Sequence, residues 1–260
     1  MLAIPLRDDN LQVRTPVVTY GLIAACTLVF LWQSSLPPRL AQQADLAFGM
    51  IPAVLFGQAT LPPSIAVVPA WATMVTSMFL HGGLLHLVGN MLYLWLFGKA
   101  VEDALGSGRY LAFYLISGLA AALAQATSGP ASEVPMIGAS GAIAGLLGAY
   151  LVLYPRAQVQ VFIWFLIIVR LIAVPAVLLL GLWFLMQVAS GLAPGEPGVA
   201  FWAHVGGFIA GMILVPFFRR RSVRLLQPGR SQSFTVTRPG DGRFGRGSVP
   251  RVGRPRGKWG

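Results

Sequence analysis

Four polar side chains that could perform chemistry together lie within apolar stretches of this sequence. Ser140 lies in PMIGASGAIAG, His204 in AHVGGFIAG, and His86 and Asn90 in HGGLLHLVGN. A serine hydroxyl becomes a nucleophile when an imidazole accepts its proton. His86 and Asn90 are four residues apart, so on a helix they share one face and could both donate hydrogen bonds to a developing oxyanion. These residue types are those of acyl transfer by an activated serine.

Acidic residues are missing from these stretches, which limits the chemistry. The eight carboxylates all fall outside the apolar segments: Asp8, Asp9, Asp45, Glu102, Asp103, Glu133, Glu196 and Asp241. A Ser-His-Asp triad is therefore not expected, and a Ser-His dyad is the nucleophilic device that the sequence offers. Ser140 also stands near the start of a predicted helix, where backbone N–H groups point toward an anion.

The composition places these residues in a membrane. Hydrophobic residues make up 56% of the 260 residues, charged residues make up 10%, and the mean hydropathy is +0.71. A soluble domain carries about 25% charged residues. The single cysteine, Cys26, excludes a disulfide framework within the chain. We therefore predict an all-α, multi-pass membrane protein.

Six segments have the apolarity of a membrane-spanning helix and roughly its length, which is about 17–25 residues. They are 17–34, 78–97, 109–126, 139–155, 171–190 and 200–218. The stretch 159–169 is also apolar, but Arg170 and Pro175 interrupt it. We interpret it as an interfacial or half-inserted segment leading into the fifth span, and a seventh span is the alternative.

Basic residues are distributed unequally between the two sides of these spans. With a cytoplasmic N-terminus, Arg39 is the one basic residue of nineteen that falls outside. This bias predicts that both termini are cytoplasmic. Spans two, four and six then run inward, and His86, Ser140 and His204 lie 13 to 15 residues above the cytoplasmic ends of their spans. At about 1.5 Å per residue, all three share one level, roughly 20–22 Å above the inner edge of a ~30 Å core.

The chain divides into three regions by composition. They are a cytoplasmic N-terminal segment, 1–16, a six-span core, 17–218, and a basic tail, 219–260. The tail is rich in Gly, Arg, Pro and Ser and is predicted to be disordered. RNA binding by such a tail is an alternative. We favour a solvated tail beside anionic lipid and expect no nucleic-acid partner.

Small residues in two spans also have a purely structural explanation. The stripes, spaced by four, are Gly141 and Gly145 in the fourth span, and Ala203, Gly207 and Gly211 in the sixth. Such stripes let membrane helices approach closely. The sequence GASGA around Ser140 lacks the final glycine of the hydrolase motif G-x-S-x-G, and no predicted strand precedes it. Close packing of spans four and six would also serve a hydrogen bond from Ser140 to His204, which needs about 2.6–3.2 Å.

Together, these motifs resemble those of the rhomboid family of intramembrane serine proteases. The matching stretches are HGGLLHLVGN, FGKAVE, GASG and AHVGGFIAG, which occur in the family's order on the second, fourth and sixth predicted spans. The resemblance covers about residues 17–218. It implies a six-transmembrane helical bundle of the rhomboid type.

The resemblance also implies a role for each site residue. Ser140 would be the nucleophile and His204 the general base, while the Ser140 N–H, His86 and Asn90 would form the oxyanion hole. His81 would be mainly structural, and Glu102 would hold down a loop. Three glycines would be structural near the site: Gly138, Gly141 and Gly207.

The implied function is that of an intramembrane serine endopeptidase. Its substrates would be membrane proteins with a single span, cleaved within the lipid bilayer near the outer interface. Neither a metal nor another cofactor is expected. The expected location is a bacterial cell membrane.

Two features depart from the family pattern. Many members have a Trp-Arg pair in the first outer loop, whereas here Trp71 is followed by Ala72. Many also stack an aromatic ring on the catalytic histidine, and the corresponding region, 119–125, has none. These departures concern the positioning of the loop and the orientation of His204. The loop 191–200, with its Gly and Pro residues, is predicted to be a mobile cap.

Three other functions fit the sequence less well. A zinc site made of the three histidines would lack the H-E-x-x-H spacing and a nearby acid. A rhomboid-like scaffold that binds membrane clients without cleaving them would usually lack the serine or the histidine. A transporter would need paired charges near the membrane midplane and inverted repeats.

Overall fold

The computed structural model describes residues 2–8, 14–165, 168–193 and 199–227. The predicted disordered tail lies outside the described residues from 228 onward. Positions 194–198 of the predicted cap loop also lie outside them.

The described residues are mostly helical. The helices are α1 (Val17–Ser35), α2 (Pro38–Phe48), α3 (Pro52–Leu55), α4 (Thr73–Thr76), α5 (Leu84–Tyr93), α6 (Lys99–Leu105), α7 (Ser107–Ser128), α8 (Ser140–Leu153), α9 (Ala176–Leu192) and α10 (Phe201–Phe218). A π-helical stretch, Leu94–Gly98, joins α5 and α6 into one long helix. Short 3₁₀ turns flank α4, at Ala70–Ala72 and Ser77–Phe79.

Each of the six predicted spans contains one of the apolar helices. Four helices of the described chain are long and apolar enough to cross a membrane: Val17–Ser35, Leu84–Leu105, Ser107–Ser128 and Phe201–Phe218. The other two, α8 and α9, are apolar but shorter, with 14 and 17 residues. The prediction of an all-α membrane region is confirmed.

The second span differs from its predicted bounds. Its helix begins at Leu84 rather than 78 and continues to Leu105, well past the predicted end at 97. His86 is therefore the third residue of its helix, as Ser140 is the first of α8 and His204 the fourth of α10. All three lie in the first turn of a helix.

A three-stranded antiparallel sheet replaces the predicted half-inserted segment. Its strands are β1 (Leu2–Asp8), β2 (Gln158–Phe165) and β3 (Ile168–Pro175), in the order β1-β2-β3. The stretch 159–169 is thus not a seventh span, and the fifth apolar helix begins at Ala176 rather than 171. The residues alternate along β2, with Val159 and Val161 buried and Gln158 and Gln160 partly exposed. This alternation with a period of two favours a strand, and a prediction based on mean apolarity does not detect it.

Helix α8 lies at the centre of the helical bundle. Eleven of its fourteen residues are buried, and it packs against α7 and α10. A methyl group on Gly207 or Gly211 would overlap the carbonyl oxygens of Gly141 and Gly145, so the two backbones touch. The predicted close approach of spans four and six is present in the structure.

A buried carboxylate, that of Glu102, connects two helix starts at the end of the bundle away from Ser140. Glu102 is 2% exposed and accepts hydrogen bonds from Val18 N at 3.0 Å, Thr19 N at 2.8 Å and Thr19 Oγ1 at 2.7 Å. It accepts a fourth from Ser107 Oγ at 2.7 Å. Because the first N–H groups of a helix lack partners within it, this carboxylate caps α1 and ties it to the start of α7. The resemblance implied that Glu102 holds a loop; here it holds two helix starts.

Candidate active site

The backbone before Ser140 requires glycine. Gly138 has φ +124, a conformation that other residues rarely adopt, and its N–H donates to Ser77 O at 2.8 Å. A methyl group at Gly138 would also come within 2.8 Å of the His86 ring. This turn therefore places the Ser140 hydroxyl and the first N–H groups of α8 beside His86.

The structure brings Ser140 and His204 into hydrogen-bond contact. The distance from Ser140 Oγ to His204 Nε2 is 2.8 Å, and both residues are half-buried. The contact spans α8 and α10, and the small residues at the same level permit it. A methyl group at Gly207 would overlap the Gly141 carbonyl oxygen, so this glycine lets α10 approach α8 beside Ser140.

The other ring nitrogen of His204 meets a glutamine that the sequence analysis missed. Gln187 Oε1, on α9, lies 2.7 Å from His204 Nδ1. With the amide assigned in this orientation, Nδ1–H donates to Gln187 and Nε2 is left to accept the Ser140 proton. The geometry thus fits one tautomer of His204, the one that a general base requires.

The aromatic neighbour of His204 also comes from α9. The Trp183 and His204 rings have centroids 5.8 Å apart and planes inclined by 39°. The sequence analysis noted that 119–125 offers no aromatic ring, and Trp183 takes the place beside His204 from another helix. Trp183 and Gln187 are four residues apart and so lie on one face of α9. A polar residue within that apolar helix was the available signal.

His86 and Asn90 face Ser140 across a cavity of about 650 Å³. Both side chains point at Gly138, with Asn90 Nδ2 3.7 Å from the position that a methyl group there would occupy. Asn90 is 8% exposed, and among the described residues its Nδ2 has no hydrogen-bond partner. A buried amide without a partner costs free energy, so this N–H group is available to an oxygen in the cavity.

His81 lies behind this group rather than in the cavity. Its ring contacts the His86 ring edge-on, with centroids 5.2 Å apart. Its backbone N–H donates to Gln33 Oε1 at 3.0 Å, and its Nδ1 lies 3.2 Å from Phe79 O. His81 is therefore packed against the first helix and supports His86. Within the described residues, no group of three His, Cys, Asp or Glu side chains could hold a metal ion.

Comparisons with known proteins show which family this chain is similar to. The family model described as Rhomboid domain matches residues 69–221. The chain is 46% identical over 81 residues to Rhomboid protease GluP of Bacillus subtilis, covering 31% of this chain and 15% of that protein. It is 34% identical over 141 residues to RHOMBOID-like protein 5 of Arabidopsis thaliana, covering 54% and 42%. It is 31% identical over 150 residues to the mitochondrial Rhomboid protein 1 of Saccharomyces cerevisiae, covering 54% and 40%.

These relatives are longer than the shared region. The matches span less than half of the length of each of the three. The residues that the Rhomboid domain model matches, 69–221, include Ser140, His204, His86 and Asn90 and make up more than half of this chain. The chain is an integral membrane protein that belongs to the rhomboid family.

Proposed function

We propose that this protein is an intramembrane serine endopeptidase. It hydrolyses peptide bonds in or near the transmembrane segments of other membrane proteins, using Ser140 and His204 as a catalytic dyad. The observation that carries the proposal is the 2.8 Å contact between Ser140 Oγ and His204 Nε2 beside a cavity. The names of two similar Bacillus subtilis proteins, Rhomboid protease GluP and Putative rhomboid protease YdcA, support the same reaction.

The proposed reaction has two half-reactions. Ser140 Oγ attacks the scissile carbonyl while His204 Nε2 accepts its proton, and the carbonyl oxygen becomes an oxyanion. His204 then gives the proton to the leaving amine, which leaves an acyl ester on Ser140. In the second half, His204 accepts a proton from water, the hydroxide attacks the ester, and the proton returns to Ser140.

Three donors are available to the oxyanion. The Ser140 N–H belongs to the first turn of α8 and has no partner within that helix. Asn90 Nδ2 is the unpartnered amide described above, and His86 lies beside Gly138. Donors that are in place before the reaction stabilise the charge without reorganisation, which is why such groups accelerate acyl transfer.

Gln187 acts as a positioning residue in this mechanism. It contacts His204 rather than the substrate, and its carbonyl oxygen keeps the proton on Nδ1. Trp183 limits rotation of the same ring from one side. Gln187 thus takes the orienting role that a carboxylate has in a Ser-His-Asp triad. Among the described residues, no carboxylate lies beside His204.

The cavity suggests which substrates fit. Much of its lining beside Ser140 is small, with Gly118, Ala121 and Ala142 among its residues. Substrates would accordingly be single-span proteins whose cleaved segment has small residues and unwinds readily. Water would reach Ser140 through the same cavity.

The proposed location is a bacterial cell membrane with both termini in the cytoplasm. The basic bias of eighteen residues against one supports this orientation. In the proposed domain organisation, 1–16 is an N-terminal segment, 17–218 is the catalytic core and 219–260 is a tail in the cytoplasm. The site would then lie near the outer interface.

Cleavage of a model transmembrane substrate in liposomes tests the activity. We expect cleavage by the wild type and none by Ser140→Ala or His204→Ala, with both variants still folded. The double variant should be no slower than either single one, because both losses disable the same step. A fluorophosphonate probe should label the wild type and not Ser140→Ala. Cleavage by Ser140→Ala at the wild-type rate, or loss with a chelator and recovery with added zinc, would exclude the dyad.

A further inference from the structure

A second cavity among the described residues, which we call the arginine cavity, shares no lining residue with the cavity at Ser140. Its volume is about 960 Å³, and it lies between the start of α1, the turn from α6 to α7, and the end of α10. Five arginines line it: Arg14, Arg109, Arg219, Arg220 and Arg221. The end of α10 is 14 residues from His204, which is roughly 21 Å along a helix.

The charge of this cavity is unbalanced. Its two acidic residues are Glu102 and Asp103, so even two ionised carboxylates would leave three positive charges from five arginines. Glu102 is moreover turned inward, since its oxygens accept the four hydrogen bonds from α1 and Ser107. Several guanidinium groups that converge on one cavity repel each other unless an anion lies between them.

Three of the five arginines make contacts that fix them to the helical bundle. The Arg220 N–H donates to Ala104 O at 3.0 Å, and its guanidinium packs against Gly106, where an added methyl group would lie 3.2 Å from Nε. Arg109 Nη1 donates to Arg219 O at 3.4 Å. The Arg219 Nε is buried, and it has no hydrogen-bond partner in the part of the chain that the structure describes. These contacts hold Arg109, Arg219 and Arg220 at the cavity.

The same cavity has an apolar border. Phe217, in the last turn of α10, lines it and is 80% exposed, and Pro216 lies beside it. A free anion would need the arginines alone. A ligand that contacts both the arginines and the apolar border needs an anionic head and an apolar tail.

We propose that this cavity binds the phosphate headgroup of an anionic membrane lipid. Guanidinium groups pair with phosphate oxygens in a two-pronged geometry, and basic pockets between membrane helices recognise anionic headgroups. Ser107 and Gly108 begin α7 at the same cavity and add backbone N–H groups to the arginines. An acyl chain of the lipid lies along Phe217. This inference is independent of the proposed protease activity.

The test measures lipid binding to the full chain in a neutral detergent. Short-chain phosphatidylglycerol, phosphatidylcholine and inorganic phosphate are titrated separately, and the dissociation constants are compared. We expect phosphatidylglycerol to bind most tightly. At about 1 kcal/mol for each arginine, Arg109→Gln with Arg221→Gln should weaken its binding roughly tenfold to thirtyfold.

Two further variants keep the result interpretable. The matched control, Arg156→Gln with Arg170→Gln, removes two exposed charges elsewhere and should bind the lipid as the wild type does. Phe217→Ser should weaken the binding of phosphatidylglycerol and leave that of inorganic phosphate unchanged. If the double variant is unstable, Arg221→Gln alone tests the same site, since Arg221 is exposed.

Three results would overturn the proposal. Equal losses in the arginine pair and in its control would mean that the lipid senses only the overall charge. Inorganic phosphate that binds as tightly as phosphatidylglycerol would make this a site for free phosphate. Equal affinity for phosphatidylcholine would mean that the cavity does not select an anionic headgroup. Labelling of Ser140 by the fluorophosphonate probe, expected to be unchanged in every variant, separates these results from any failure of the protease proposal.

Discussion

At the residue scale, His204 makes a contact through each ring nitrogen, and each contact comes from a different helix. Nε2 lies 2.8 Å from Ser140 Oγ of α8, and Nδ1 lies 2.7 Å from Gln187 Oε1 of α9. A ring held at both nitrogens has one tautomer and one orientation. The proposed division of roles follows, with a proton acceptor on one side of the ring and a positioning acceptor on the other.

Gln187→Leu should lower kcat and leave KM nearly unchanged. Without the acceptor at Nδ1, part of the enzyme holds the proton on Nε2 and cannot act as a base, so we expect a loss of roughly tenfold to a hundredfold. Gln187→Glu keeps an acceptor oxygen and should recover part of the rate. Met186→Leu is the matched control on α9, because Met186 is 51% exposed. A normal kcat in Gln187→Leu would show that Gln187 is only a packing residue.

Asn90→Ala tests the oxyanion hole. Its amide should act on charge that exists only in the transition state, so kcat should fall about tenfold to a hundredfold while KM changes little. Kinetics are measured per active site, counted by fluorophosphonate titration. A variant that melts earlier but turns over at the wild-type rate per titrated site would make Asn90 a structural residue.

At the element scale, the contact between α8 and α10 positions the two proposed catalytic groups. Gly207 and Gly211, about one and two turns after His204 on α10, touch the backbone of α8 at Gly141 and Gly145. No side chain separates the helices at these points. The Ser140 to His204 distance therefore depends on residues that carry no functional group.

Gly211→Ala should destabilise the protein and reduce activity together. The new methyl group would overlap the Gly145 carbonyl, and overpacking of this kind costs about 1–3 kcal/mol. Thermal unfolding in detergent should show a lower Tm, and cleavage should fall because α10 moves away from α8. Gly181→Ala on α9 is the control, since no atom lies within 4 Å of its added methyl group. Equal Tm values for the two variants would contradict the close contact.

At the scale of the whole molecule, the two ends of the bundle have different characters. One end holds the first turns of α5, α8 and α10, with the histidines and Ser140. The other holds Glu102 and the arginine cavity. In a membrane, the proposed catalytic site would therefore lie near one interface and the five arginines near the other.

The orientation predicts which end a membrane-impermeant reagent reaches. After Cys26 is replaced, a cysteine at Glu133, in the exposed loop between α7 and α8, should be labelled in intact cells. A cysteine at Arg156, in the exposed turn before β2, should be protected until the cells are opened. Labelling at position 156 with protection at position 133 would show the opposite orientation, in which the site lies near the cytoplasm.

Local sequence signals predicted the apolar helices and the candidate site residues Ser140, His86, Asn90 and His204. Membrane helices are set by local apolarity, and a polar residue inside one stands out against it. Local apolarity gave the wrong prediction at 159–169. A short apolar run is compatible with a strand or with a buried helix, and pairing with β1 is what makes β2 a strand.

The neighbours of those polar residues follow from the packing of the helices and not from local sequence. Gln187 and Trp183 lie on α9, and the local sequence does not indicate which face of α9 packs against α10. The arginine cavity likewise joins residues from the segment just before α1, the α6 to α7 turn and the end of the last helix, up to about 200 positions apart. Apolarity specifies which segments become helices, whereas the packing of their faces specifies which side chains meet.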